Sequence, residues 1–94
     1  MPSTIEVEKT GNLEFLVRII EKGSGSTHHV TMKLDDYTKL TGGKSEPEEL
    51  VRRSFEFLLE REPKESVLSR FDLSVIGRYF PEYEREIKKR LSKS

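Results

Sequence analysis

The sequence predicts an α+β fold: a three-stranded antiparallel β-meander packed against one main helix, followed by two or three short C-terminal helices. Three observations carry this. Apolar residues recur at every second position through the first third of the chain. After position 45 the spacing changes to that of an amphipathic helix. From Pro63 onward, short apolar runs are broken by turn residues and by Pro81.

The strands come first. Ile5 and Val7 alternate with acids, then Leu13, Phe15, Val17 and Ile19 repeat at period two, then Val30, Met32 and Leu34 do the same, so the meander spans 1–34. Thr10-Gly11-Asn12 supplies the first turn, and Gly23-Ser24-Gly25-Ser26 reads as a flexible loop between the second and third strands. In the second strand Leu16 and Ile20 make the opposite face partly apolar, as expected of a central strand or of a sheet whose second face meets a partner.

Near Asp35-Asp36 the alternation stops. Residues 36–40 are too few for a helix, which argues against a ribbon-helix-helix DNA reader, a module that needs a helix between its strand and its second helix. Thr41-Gly42-Gly43-Lys44 breaks the chain, and Ser45 with Glu48 reads as a capping box with Pro47 in the first turn. The main helix is expected over 46–62. It places Leu50, Val51, Ser54, Phe55, Leu58 and Leu59 on one side and Glu49, Arg52, Arg53, Glu56 and Glu60 on the other. Short helices are expected over 64–92: Glu65 to Phe71, Leu73 to Phe80 capped by Asp72 or Ser74, and Glu82 to Leu91 after Pro81. Val67, Leu68, Phe71, Leu73, Ile76, Phe80 and Tyr83 are the core candidates of this part. The 94 residues make one domain with frayed ends.

Composition removes several function classes. Seventeen Lys plus Arg balance seventeen Asp plus Glu, so no global field draws the chain to nucleic acid or to an anionic membrane. The absence of cysteine excludes a disulfide framework, a thiolate nucleophile and a Cys-type zinc site. The start MPSTIEVEK has no basic segment followed by an apolar one, and no run approaches the roughly 18 apolar residues of a membrane span. A cytoplasmic protein without metal or cofactor is the expectation.

The motifs point the same way. Gly42-Gly43-Lys44-Ser45 has Thr38 where a phosphate-binding loop needs its first glycine, and Glu46, Glu48 and Glu49 would repel phosphate from the helix behind it. His28 and His29 are strand neighbours on opposite faces and cannot jointly hold a metal; one is expected exposed and the other packed at the sheet margin. Ser26 and Thr27 beside His28 show no acid to orient the ring, and the small core leaves little room for a deep cleft, so no enzyme is expected.

Two interaction surfaces remain. Phe57, Tyr79, Phe80 and Tyr83 are more aromatics than so small a core can bury, and aromatics beside arginine suit a protein interface. Against this, Arg78, Lys88, Lys89 and Arg90 could contact phosphates, although residues 72–94 carry six basic residues against four acids, a surplus of only two.

The stretches His29-Val30-Thr31, Asp35-Asp36-Tyr37, Leu40-Thr41-Gly42-Gly43, Pro47 to Pro63, Phe71-Asp72-Leu73 and Tyr79-Phe80-Pro81-Glu82-Tyr83-Glu84 resemble a family of small uncharacterised prokaryotic proteins. The resemblance covers about two thirds of the chain and carries no activity, cofactor or residue role; it implies that the main helix and the Phe80-Pro81 corner belong to one shared fold or surface. The expected function is a non-enzymatic binding or regulatory module acting on a protein partner or on a second copy of itself. The alternative is a small nucleic-acid-binding protein using the basic C-terminal helix.

Overall fold

Residues 3–92 are described by the structure, a computed structural model. The N-terminal alternation builds β1 (Thr4–Gly11), β2 (Glu14–Glu21) and β3 (Ser24–Thr31), each paired antiparallel with the next. The expected strand turns are tighter than the sequence suggests. Ser24, Gly25 and Ser26 pair with Glu21, Ile20 and Ile19 instead of looping, so only Lys22 and Gly23 turn the chain, with Gly23 at φ +80°. Leu13 adopts φ +58° in the first turn rather than joining β2, a left-handed conformation uncommon for a leucine.

The inner sheet face collects Ile5, Phe15, Val17, Ile19, Val30 and Met32, all buried. Its outer face carries Glu6, Glu8, Arg18, Thr27 and His29, with Ile20 44% exposed and Leu16 partly covered. Among the described residues no element lies over that face.

Three expectations are corrected. First, α1 (Leu34–Thr41) occupies the stretch judged too short for a helix. Asp35 and Asp36 favour its positive N-terminal end, and Gly42 stops it in the left-handed conformation at φ 64°. Second, the main helix α2 (Pro47–Arg61) lacks the capping box. Its N-cap is Glu46, without a side-chain cap bond, and the Ser45 carbonyl instead accepts a hydrogen bond from the Tyr37 hydroxyl at 2.6 Å. Third, the segment expected as a helix from Glu65 to Phe71 is a short 3₁₀ turn (Lys64–Ser66) followed by β4 (Arg70–Asp72).

The sheet is therefore mixed and four-stranded, in the order β1-β2-β3-β4, with β4 parallel to β3 through Val30 and Phe71. Helix α3 (Ser74–Tyr79) has Leu73 as its N-cap, without a side-chain cap bond, where Asp72 or Ser74 was expected; the Asp72 carboxylate accepts the Ser74 backbone N–H at 3.0 Å from just ahead of it. The last helix is α4 (Tyr83–Ser92). The expected fraying of the ends at 1–2 and 93–94 lies outside the described residues.

Helix α2 is the axle of the fold. Phe55 faces the sheet, 5.6 Å from the His28 ring and 5.9 Å from Phe71 between centroids. Arg52, on the same helix, donates to the Ile5 carbonyl, so one backbone acceptor of the edge strand β1 is taken, which protects an edge that could otherwise pair with another chain.

Candidate functional site

The aromatics split into two environments around the Phe80-Pro81 corner. On one side α4 covers α2. Phe57 is fully buried, edge-on to Phe80 at 5.8 Å and to Tyr83 at 5.4 Å, with the Arg61 guanidinium 3.7 Å from its ring centroid. Phe57 and Tyr83 are thus core residues, as expected of Tyr83 in one of its two sequence readings, and burial takes both out of the exposed surface where an interface was expected. A helix flanked on one side by a sheet and on another by α4 buries more than one stripe, which places Phe57 inside.

Tyr83 donates to the Ser54 hydroxyl at 2.7 Å, and Ser54 donates to the Leu50 carbonyl at 2.7 Å. Burial pushes the Tyr83 phenol up to about 12, with the nearby Asp36 charge acting in the same direction. Ion pairs close this side from outside: Arg61 with Glu82 at 3.0 Å, and Arg90 with Glu60. The hydrogen bond from Arg90 holds the Glu60 carboxyl below its usual range.

On the other side lies an open groove of about 320 Å3. Leu58 and Glu62 at the end of α2, Leu68 and Phe71 around β4, and Val75 and Tyr79 on α3 are among its walls. Leu68 is 51% exposed and Tyr79 70% exposed, and Phe80 is half-buried at the base. Of the four aromatics proposed as an interface, Tyr79 and Phe80 therefore meet here. Glu62 is the one charged residue of the lining, with no ion pair among the described residues.

The wall bearing Leu68 is fixed at both ends. Lys64, almost fully buried, pairs with Glu65 and with Glu21 at 3.3 Å. The Glu65 hydrogen bond is the chief cause raising the ammonium above its ordinary range. His28, buried as one of the two histidines was expected to be, donates from Nδ1 to the Leu68 carbonyl at 2.7 Å while Nε2 sits 2.8 Å from the Ser26 hydroxyl. That donation fixes the ring's tautomer, leaving Nε2 of the neutral ring to accept from Ser26. The Ser26–His28–carbonyl line has the connectivity of a nucleophile, a base and an orienting group, but neither hollow opens on Ser26. Its evident effect is to clamp residue 68 against β3. His29 points to the exposed outer face.

A second hollow of about 220 Å3 lies between α1, α3 and α4, with Asp36, Ser74, Gly77 and Tyr83 in its lining. The Lys39–Glu84 pair at 3.0 Å spans its rim, and the buried Oδ2 of Asp36 accepts no hydrogen bond.

The basic candidates are dispersed. Lys88 pairs with Glu84 at 3.4 Å and Arg90 with Glu60, whereas Arg78 and Lys89 are exposed without ion pairs among the described residues. Arg78 stands on α3 beside Tyr79, away from the others on α4. Among the described residues no group of three or more His, Asp or Glu is placed to hold a metal, and no helix is long and apolar enough to cross a membrane.

Leu68 and Glu62 are the groove residues the sequence reading missed. The sequence places the first in the core and the second at the end of the main helix; Leu68 is 51% exposed just ahead of β4, whose pairing with β3 is a long-range contact. No family model, no curated protein and no solved structure matches the chain, which leaves the resemblance to small uncharacterised prokaryotic proteins an expectation.

Proposed function

We propose that this chain is a non-enzymatic binding module of the cytoplasm that acts through protein–protein contacts at the groove between α2, β4 and α3. One observation carries the reading: Leu68 and Tyr79, two large side chains more than half exposed, stand on the walls of a groove whose only charged lining residue among the described residues is Glu62, which has no ion pair among them. Isolated exposed apolar residues are ordinary; a concave group of them with a polar margin is what a docking site offers. The groove suits a short segment with an aliphatic or aromatic anchor and a cationic residue for Glu62. The clamps at Lys64 and His28 support this, because a pre-shaped wall lowers the entropy cost of binding.

The nucleic-acid alternative draws less support. Lys88 and Arg90 already face carboxylates, and the outer sheet face, with Glu6, Glu8 and Asp72 among its charges, carries among the described residues no Phe or Tyr on which a base could stack, only the ring of His29.

Selection of a displayed random-peptide library on the protein, with Leu68→Lys protein as the counter-selection, tests the reading. Enrichment of peptides pairing apolar anchors with Lys or Arg, whose binding is lost in Leu68→Lys and Tyr79→Lys, is expected. Peptides that bind both variants as well as the parent, or no enrichment, would overturn it.

A further inference from the structure

Resting on that reading, we infer that the occupant of the groove is a second copy of the same chain, in a two-fold dimer in which α3 of each copy presents Tyr79 to the groove of the other and Arg78 to its Glu62. The chain carries both halves of such a contact. Tyr79 is the most exposed large apolar side chain of the described residues and projects from the rim, so it is a knob as well as a wall. Among the described residues, Arg78, adjacent to it on α3, has no carboxylate partner, and Glu62 inside the groove has no cation. The two charges are complementary and unmatched within one copy.

Symmetry makes this economical. In a two-fold interface residue i meets j and j meets i, so one Tyr79 knob and one Arg78–Glu62 pair occur twice. The zero formal net charge imposes no long-range repulsion between copies. A contact built on one short helix and one groove is small, so the dimer belongs to the weak, reversible class.

Sedimentation equilibrium of the full chain, from about 10 µM to about 1 mM, reads the association directly. The parent is expected to move from monomer toward dimer across this range. Tyr79→Lys should weaken association by about 30-fold or more, because an anchor is lost at two symmetric places. Its circular dichroism melting curve should match the parent's, since Tyr79 is exposed.

The decisive arm uses charge reversal. Glu62→Arg alone sets two cations against each other and Arg78→Glu alone sets two carboxylates together, so each protein is expected to be monomeric. Their equimolar mixture restores both opposite-charge contacts and should form a heterodimer, a recovery that no folding defect in either protein can imitate. A parent that stays monomeric at about 1 mM, or a mixture no more associated than its components, would overturn the self-pairing and leave the groove reading to the peptide selection. A dimer indifferent to Tyr79→Lys and to both reversals would overturn the self-pairing and count against the groove reading as well.

Discussion

The two sides of the Phe80-Pro81 corner differ less in composition than in cover. On the α4 side, Phe57 and Tyr83 are buried along with Ile87 and Leu91 of that helix, and the Arg61–Glu82 and Arg90–Glu60 pairs lie outside them. On the α3 side, Leu68, Phe71 and Tyr79 have neighbours of similar character but, among the described residues, no element above them. Helix α4 is ten residues long and turns at Pro81 to lie on α2, whereas α3 has six residues and covers only part of the end of the sheet. The same kinds of side chain are therefore core in one place and surface in the other, decided by whether a helix remains to cover them.

The largest expected effect breaks the comparison if it fails. Phe57→Ala should cost about 3 to 5 kcal/mol in stability, as removal of a buried ring in a packed site does, while Tyr79→Ala should stay within about 0.5 kcal/mol of the parent. Urea unfolding of the two variants measures both. Equal losses would mean that the open side is core after all.

Titration of Tyr83 sharpens it next. Its folded-state value, pushed up from 10.0 to about 12, means that folding favours the neutral phenol. The stability this contributes is complete below pH 10 and is lost as pH rises toward 12, by roughly 2 to 3 kcal/mol. Tyr83→Phe should remove that alkaline loss, at the expense of about 1 kcal/mol at neutral pH for the missing bond to Ser54. Unfolding free energies measured from pH 8 to 12 would show the two curves crossing, with Tyr83→Phe the more stable at the alkaline end, if the assignment holds, and parallel if it does not.

The smallest effects concern the start of α2. Ser45→Ala should change stability by less than about 0.5 kcal/mol because its hydroxyl caps nothing, whereas Tyr37→Phe should lose about 1 kcal/mol with its bond to the Ser45 carbonyl. A larger loss for Ser45→Ala than for Tyr37→Phe, in the same unfolding experiment, would restore the capping box.

These contrasts also mark what could be read from the residues alone. Period-two alternation located β1, β2 and β3, and the apolar stripe of α2 put Phe55 at the helix–sheet seam, because both are local patterns set by backbone geometry. Strand β4 was not legible. Three residues carry no periodicity, and Arg70, Phe71 and Asp72 are extended only because β3 offers them a parallel partner some forty positions away in sequence. Missing it hid the groove, since the turn ahead of β4 is what exposes Leu68. The capping box failed for a different reason: the spacing of Ser45 and Glu48 is right, but helix α2 starts with Pro47 at its first position and Glu46 as its cap. Of the proposed interface, Tyr79 and Phe80 were legible as aromatics beside a proline break, and Tyr83 was legible as a core candidate too; that Phe57 is core follows from the docking of α4, which no local pattern encodes.

The central claim, that the open side is a docking surface while the sealed side is core, is tested most directly by amide NMR of the parent chain diluted from about 1 mM to about 20 µM. Concentration-dependent shifts confined to residue 62, residues 66–71 and residues 75–80, with Phe57, Tyr83 and Ile87 unmoved, are the predicted result. Shifts centred on the outer sheet face at Leu16 and Ile20 would contradict it, and a spectrum independent of concentration would contradict the self-pairing through that side.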